Sequence, residues 1–303
     1  MNAPGVLAAV VTHDPDAGLA GRLASLAAQA EALVVVDNGS ADLAAIEAAA
    51  RAAGARLIAN PRNLGIAAAL NQAAALAREE NFAWLATFDH DSLAPRGALG
   101  ALLDLAERLP DRERAAVLAM SPRDRATGRS YAGAADTLAE GSGWREVRVA
   151  ISSGSLVRLA AFEEVGPFDE PLFIDGVDHD FCLRCRAGGW RIVEASEVQL
   201  DHSLGAIGHA RVAGRRIAIS NHSADRRYYM ARNGLELLWR HFRTDPVWSL
   251  GAARRLATGS LAAVLFERDR AAKLSAIAQG AADFACRRFG PRTKAGGSAK
   301  FGA

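Results

Sequence analysis

The sequence predicts an α/β protein: a mostly parallel sheet flanked by helices, with a helical C-terminal extension. Three observations carry that expectation. Short apolar, β-branched-rich runs alternate with segments of helical spacing, at intervals that suit right-handed βαβ crossovers. Two of the runs end on acids, Val36-Asp37 and Phe88-Asp89-His90-Asp91, as strands do when their C-terminal tips line a crevice. From Arg226 onward the pattern is helical until a polar tail.

Residues 6–11 read as the first strand, ending at Thr12-His13-Asp14-Pro15, and 19–30 as a helix with Leu19, Leu23 and Leu26 on one side. A second strand, 33–36, meets the turn-forming, helix-capping Asp37-Asn38-Gly39-Ser40. An Ala-rich helix, 43–53, closes at Gly54; 56–59 is a third strand, and 60–65 is a loop into a helix over 66–78. Residues 82–88 form the fourth strand. In a parallel sheet Thr12, Asp37, Gly65 and Asp89 then share one edge.

Beyond it, 95–108 is helical and 116–120 a strand, while 123–148 is a polar, Gly-rich insertion without periodicity. Residues 149–157 read as a strand interrupted by Ser153 and Gly154, small enough for close backbone approach to a ligand. Three carboxylates, Asp175, Asp178 and Asp180, gather where the next helix opens, and strands at 190–195 and 198–200 lead to Asp201-His202. Helices are expected at 226–242, 250–266 and 271–289.

Composition narrows the function classes. With 303 residues, half of them apolar, the chain can bury a substantial core. Three cysteines cannot make a disulfide framework, and Cys182-x-x-Cys185, lacking a second pair, is expected to pack in the core. The start lacks a basic n-region and no apolar run is long enough to span a bilayer, so a cytoplasmic location is expected. No Gly-x-Gly-x-x-Gly or Gly-Lys-Ser/Thr motif is present, which argues against dinucleotide and phosphate-loop sites. The net charge of +2 hides an asymmetry: −8 over residues 1–225 and +10 over 226–303. A basic end on an acidic body suggests an anionic membrane surface, and makes the expected position peripheral on the inner face of the cell membrane. No RNA-binding signature accompanies the charge, so nucleic acid is not an expected partner.

The acids suggest chemistry. In extended backbone Asp89 and Asp91 face the same way, and two such charges repel unless a cation sits beside them. Mg²⁺ or Mn²⁺ suits carboxylate oxygens and leaves positions for a diphosphate. Asp37 can accept the imino N–H of a uracil or thymine ring, and Arg62 with the N–H groups opening the following helix can face the phosphates.

Taken in order, Val11-Thr12, Val36-Asp37-Asn38-Gly39-Ser40, Asn60-x-x-Asn63-Leu64-Gly65, Phe88-Asp89-His90-Asp91-Ser92, Ser153-Gly154-Ser155, Gly166-x-Phe168-Asp169-Glu170, Phe173-Ile174-Asp175-x-x-Asp178, Asp201-His202 and Arg227-Tyr228-Tyr229-x-x-Arg232-Asn233 resemble the inverting glycosyltransferases of family 2, most closely their rhamnosyltransferase branch. The resemblance implies the GT-A fold and transfer of a sugar, L-rhamnose first, from a dTDP- or UDP-linked donor to a saccharide or lipid-linked acceptor in cell-surface polysaccharide synthesis. It implies Asp178 as the catalytic base; Thr12, His13, Asp37, Asn63, Gly65, Asp89 and His90 at the nucleotide sugar; Ser153, Gly154 and Asp175 at the acceptor; and Asp89, Asp91 and His202 at the metal. The expected division is a nucleotide-sugar half (1–110), an acceptor and base half (111–225) and a basic helical region (226–303); a homo-oligomer is compatible with it. Galactofuranosyl or other hexosyl transfer from a UDP-sugar is the alternative within the family. Outside it stand a nucleotidyltransferase, whose Gly-rich basic loop residues 12–21 do not resemble, and a non-catalytic nucleotide or polyanion binder.

Overall fold

The computed structural model describes residues 3–124, 137–202, 207–212 and 215–293, with the side chains of Pro4, Asp124 and 201–220 outside that description. The chain forms two compact units. The first comprises Met1–Asp169 and Asp178–Ser203. Its strands are β1 (Ala3–Thr12), β2 (Ala30–Asp37), β3 (Arg56–Ala59), β4 (Trp84–Asp89), β5 (Ala115–Asp124), β6 (Thr137–Gly141), β7 (Trp144–Val147), β8 (Ser155–Arg158) and β9 (Arg191–His202). They make one sheet in the order β3-β2-β1-β4-β8-β5-β9-β7-β6. Strands β1 to β4 are parallel, as is the β5–β9 pair; β8 runs antiparallel between β4 and β5, and β6–β7 is an antiparallel hairpin at the edge.

Helices α1 (Leu19–Ala27), α2 (Leu43–Ala52) and α4 (Ala98–Arg108) bury Leu23, Ile46 and Leu102 against one face of the sheet, over Val6, Ala8, Val10, Val35 and Phe88. Helix α3 (Ile66–Glu79) packs on the strands with an alanine face, Ala67, Ala69, Ala73, Ala74 and Ala77, all of it buried. Helices α5 (Leu159–Val165) and α6 (Val177–Ala187) share an aromatic contact through Phe162 and Phe181, ring centroids 5.9 Å apart.

The first four strands lie where the alternation places them, with shifted ends. The helix read at 19–30 stops at Ala27, because Ala30 and its neighbours join the ladder beside β1. The run at 149–157 is a strand only from Ser155, and 190–200, read as two strands, is one strand with a register shift opposite Met120 and Ser121. The insertion contributes β6 and β7, a pairing its sparse apolar residues do not announce.

The second unit comprises Glu170–Val177 and Leu204–Ala303. It contains a hairpin, β10 (Ile207–Val212) with β11 (Arg215–Ser220), and helices α7 (Ala224–His241), α8 (Pro246–Phe266) and α9 (Arg270–Ala285). Ser223 caps α7 through Arg226 N–H, and Asp245 caps α8 through Trp248 N–H. Helices α7 and α9 approach so closely that a Cβ on Gly280 would sit 2.4 Å from the carbonyl oxygen of Tyr228.

Candidate active site

Register places three strand tips side by side: Thr12 opposite Asp37, and Val11 opposite Asp89. Strands lie about 4.8 Å apart, so Asp37 and Asp89, flanking β1, are about 10 Å apart, a span that suits a nucleoside. Side chains alternate across a sheet, so Asp37 shares the side of Thr12 and Asp89 that of Val11. A ligand reaching both therefore lies across the edge itself.

The first half of this edge is a knot of internal hydrogen bonds. Asp37 is buried; its Oδ1 accepts from Thr12 Oγ1 (2.9 Å) and Ser40 Oγ, and its Oδ2 from the N–H groups of Gly39 (3.1 Å) and Ser40 (3.0 Å). A carboxylate offers about four lone-pair directions, and the chain's own donors occupy them all. These bonds fix the Asp37 carboxylate at the strand tip, and two of its four donors are hydroxyls that can rotate. Asn38 ties that turn to the loop before α3: its amide donates to Gly65 O (3.0 Å), and its Oδ1 accepts from Asn60 Nδ2 (3.0 Å). Asn60 and Gln72 exchange amide hydrogen bonds (2.9 Å each), while Asn63 Oδ1 receives Gly65 N–H (2.9 Å). At φ +79°, Gly39 lies so near Arg62 that a Cβ would stand 2.6 Å from its Cα. Arg62 itself is exposed. Nδ1 of His13 is buried with no hydrogen-bond partner, an unused polar atom beside Thr12.

The second half centres on the end of β4. The strand stops at Asp89 and the chain turns, with Ser92 N–H donating to Asp89 O (3.2 Å). Asp89 and Asp91 therefore do not sit two apart in an extended segment, and the period-two alternation expected to turn them the same way stops at Asp89. Both are half-buried, as is His90. Ser153, expected at an acceptor, is buried behind this turn: its hydroxyl accepts Asp89 N–H (3.0 Å) and donates to Ser92 Oγ (2.8 Å). Gly154 N–H donates to Thr87 O (2.8 Å) and its carbonyl accepts from Met120 N–H (2.9 Å). Ser153 thus supports the turn from behind, while Gly154 bridges β4 and β5.

Asp178 occupies the first turn of α6, half-buried, its Oδ1 accepting His179 N–H (2.8 Å). Cys182, one turn on and on the same helix face, contacts Ala150 O at 3.7 Å. Helix α6, through Cys182, and the Asp89–Ser92 turn, through Ser153, both contact the segment 150–154. Asp180 is fully buried and pairs with Arg184 (2.8 Å). Burial pushes the thiol of Cys182 up, and that of Cys185 to about 12. Both cysteines are free and buried, as their helical setting implied.

In the second unit, Asp175 pairs with Arg226 (3.3 Å), and its turn has an anchor the sequence did not reveal. Phe173, Asp175 and Gly176 all have positive φ (67°, 62° and 83°). Asn233 Nδ2 reaches the carbonyls of Leu172 (2.9 Å), Ile174 (2.7 Å) and Asp175 (2.9 Å); buried Arg232 donates to Leu172 O (3.0 Å) and Gly290 O (2.6 Å). The motif Arg227-Tyr228-Tyr229-x-x-Arg232-Asn233 was the available signal, without a hint of what it holds.

His202 ends β9, and its side chain lies outside the described residues. Among those residues no cluster of three or more His, Cys, Asp or Glu could hold a metal ion. Asp89 and Asp91 remain a pair of hard oxygen donors, the kind that Mg²⁺ or Mn²⁺ takes alongside phosphate oxygens and water.

Residues 8–166 match the family model described as Glycosyl transferase family 2. A curated relative from Shigella flexneri, dTDP-rhamnosyl transferase RfbF, is 42% identical over 90 residues, which cover 30% of this chain and 29% of the relative. The match thus spans under a third of that protein. Among solved structures, residues 1–349 of TarS from Staphylococcus aureus, in complex with UDP-GlcNAc, align with a TM-score of 0.51 at 16% identity, covering 95% of this chain and 93% of that one. The same TarS fragment in another crystal structure gives a TM-score of 0.50. These similarities show the GT-A glycosyltransferase fold.

Proposed function

The chain belongs to glycosyl transferase family 2, and from that membership we propose that it is an inverting glycosyltransferase moving a sugar, L-rhamnose first, from dTDP-rhamnose to a saccharide or lipid-linked acceptor in cell-surface polysaccharide synthesis. The observation that carries this reading is the single sheet edge on which Thr12, Asp37 and Asp89 stand side by side. The RfbF relative supports the choice of sugar.

In this reading the nucleotide crosses the edge between the Asp37 turn and the β4 tip. Thr12 and Asp37 meet the nucleotide at its base, His13 offers its unused nitrogen, and Asn63 and Gly65 set the start of α3 towards the phosphates. His90 adds a contact to the donor. Asp89 and Asp91, with His202 as a third ligand, would hold Mg²⁺ or Mn²⁺, which when bound would supply charge stabilisation to the departing diphosphate. Asp178 takes the proton from the acceptor hydroxyl as it attacks the anomeric carbon, with inversion. Asp175 orients the acceptor. A lipid-linked acceptor places the protein at the inner face of the membrane, as a peripheral protein.

A screen of dTDP- and UDP-sugars with Mg²⁺ or Mn²⁺, read by donor hydrolysis and transfer, tests the reading. Metal-dependent turnover of dTDP-rhamnose is expected. Preference for a UDP-hexose would move the assignment to the hexosyl alternative, and pyrophosphate as product would replace it with nucleotidyl transfer.

A further inference from the structure

Of the ten large apolar side chains exposed among the described residues, eight fall between 239 and 274. They are not scattered. On α8, at about 100° per residue, Val247, Leu250, Arg254, Leu261 and Leu265 fall within an arc of about 60°. All five are exposed, whereas Trp248 and Ala263, on the other side of the helix, are buried. Trp239 and Phe242 add two exposed aromatic rings at the end of α7. A helix that turned only its apolar stripe inward would show the reverse.

The charges near this stripe are sorted by depth. Asp225 pairs with Arg292 (2.7 Å), Glu236 with Arg240 (2.6 Å) and Arg287 (3.0 Å), and Glu267 with Arg227 and Lys273 (2.9 Å). These three acids are buried. Arg243, Arg254, Arg255, Arg268 and Arg270 are exposed, with Asp269 the one exposed acid among described residues 224–293.

We propose that the outer face of α8, with the end of α7, docks on an anionic lipid bilayer, the helix lying in the headgroup plane. No helix among the described residues is long and apolar enough to cross a membrane. Leucine and aromatic side chains enter the acyl boundary, while the arginines, whose stems are apolar, reach lipid phosphates. A second copy fits the surface less well, because two-fold pairing would set Arg254 and its neighbours against their own counterparts. The proposed lipid-linked acceptor supplies the reason for docking; the docking itself does not depend on it.

Co-sedimentation of the full chain with phosphatidylcholine vesicles, with and without phosphatidylglycerol, tests this. Binding is expected to require the anionic lipid and to weaken with salt. Leu250→Ser with Leu261→Ser should lower the partition constant about tenfold or more, from lost apolar burial. Arg243→Gln with Arg254→Gln should lower it about thirtyfold, since each basic residue near the surface contributes roughly fivefold. All four positions are exposed, so circular dichroism should be unchanged, as should donor hydrolysis. Equal binding to both vesicle types would overturn the proposal, as would a dimer in sedimentation velocity that the Leu pair dissolves. Vesicle binding without any sugar-nucleotide turnover would leave this surface standing and remove the transferase reading instead.

Discussion

Asn233→Leu isolates what holds the turn that carries Asp175. The substitution keeps the volume of a buried side chain and removes Nδ2 donation to Leu172, Ile174 and Asp175, together with the acceptor for Arg232 Nε (2.9 Å). The turn resists its own conformation: Phe173 and Asp175 sit at φ 67° and 62°, where a side chain costs about 1–2 kcal/mol each. Hydrogen bonds of net worth about 1 kcal/mol each offset that cost, and the carbonyls left behind in the interior add to the loss. The expected destabilisation is about 2–4 kcal/mol, read from the urea midpoint at constant m-value. Limited proteolysis should open new cleavage within 170–176. Asp175→Gly, by contrast, relieves one strained residue and keeps the Asn233 anchor, so it should destabilise less than Asn233→Leu. A loss below about 1 kcal/mol in Asn233→Leu, with the turn still resistant to protease, would mean that Asn233 does not hold it.

Asp178→Asn should abolish transfer while sparing donor binding, and Asp91→Ala should lose metal-dependent donor binding; calorimetry with a sugar nucleotide reads both, and unchanged turnover in the first removes the base role. Gly39→Ala forces a Cβ to 2.6 Å from Arg62 Cα at φ +79°, so its melting temperature and donor affinity should both drop. Gly54→Ala is the control: at φ +66° with open space around it, the conformational cost alone, about 1–2 kcal/mol, applies. Thiol titration of the native protein should find Cys286, which is exposed, while Cys182 and Cys185, buried with raised pKa values, react only after denaturation. Burial, with Arg226 and Arg227 nearby, lowers His222 from 6.5 to about 4. Between those values the unfolded chain takes up a proton that the folded one refuses, so stability should fall as pH drops from 6.5 towards 4 and level off below. His222→Gln should flatten that slope in thermal melts.

Much of the fold was legible because hydrophobic alternation is local. Val34, Val35 and Val36 can only be a buried strand, and the Asp37-Asn38-Gly39-Ser40 turn follows from its own residue types. The reversed strand β8 was not legible, since an apolar run carries no direction; that depends on how the chain returns after the insertion. The β6–β7 hairpin was missed for a related reason: its four- and five-residue strands are stabilised by pairing, which leaves little periodicity behind.

The candidate site divides in the same way. Residue types and their order along the chain were enough to assign the family and to pick out Asp37, Asp89, Asp91 and Asp178, because acids at strand and helix ends are visible without coordinates. Which internal partners these residues take came only with the tertiary structure: Asp37 accepts from Thr12, Gly39 and Ser40, Asp180 pairs with Arg184, and Ser153 bonds the Asp89–Ser92 turn. A sequence displays every donor and acceptor the chain owns. Only folding decides which of them are used up on one another, because hydrogen bonds between residues distant in sequence form only after the strands have brought their ends together.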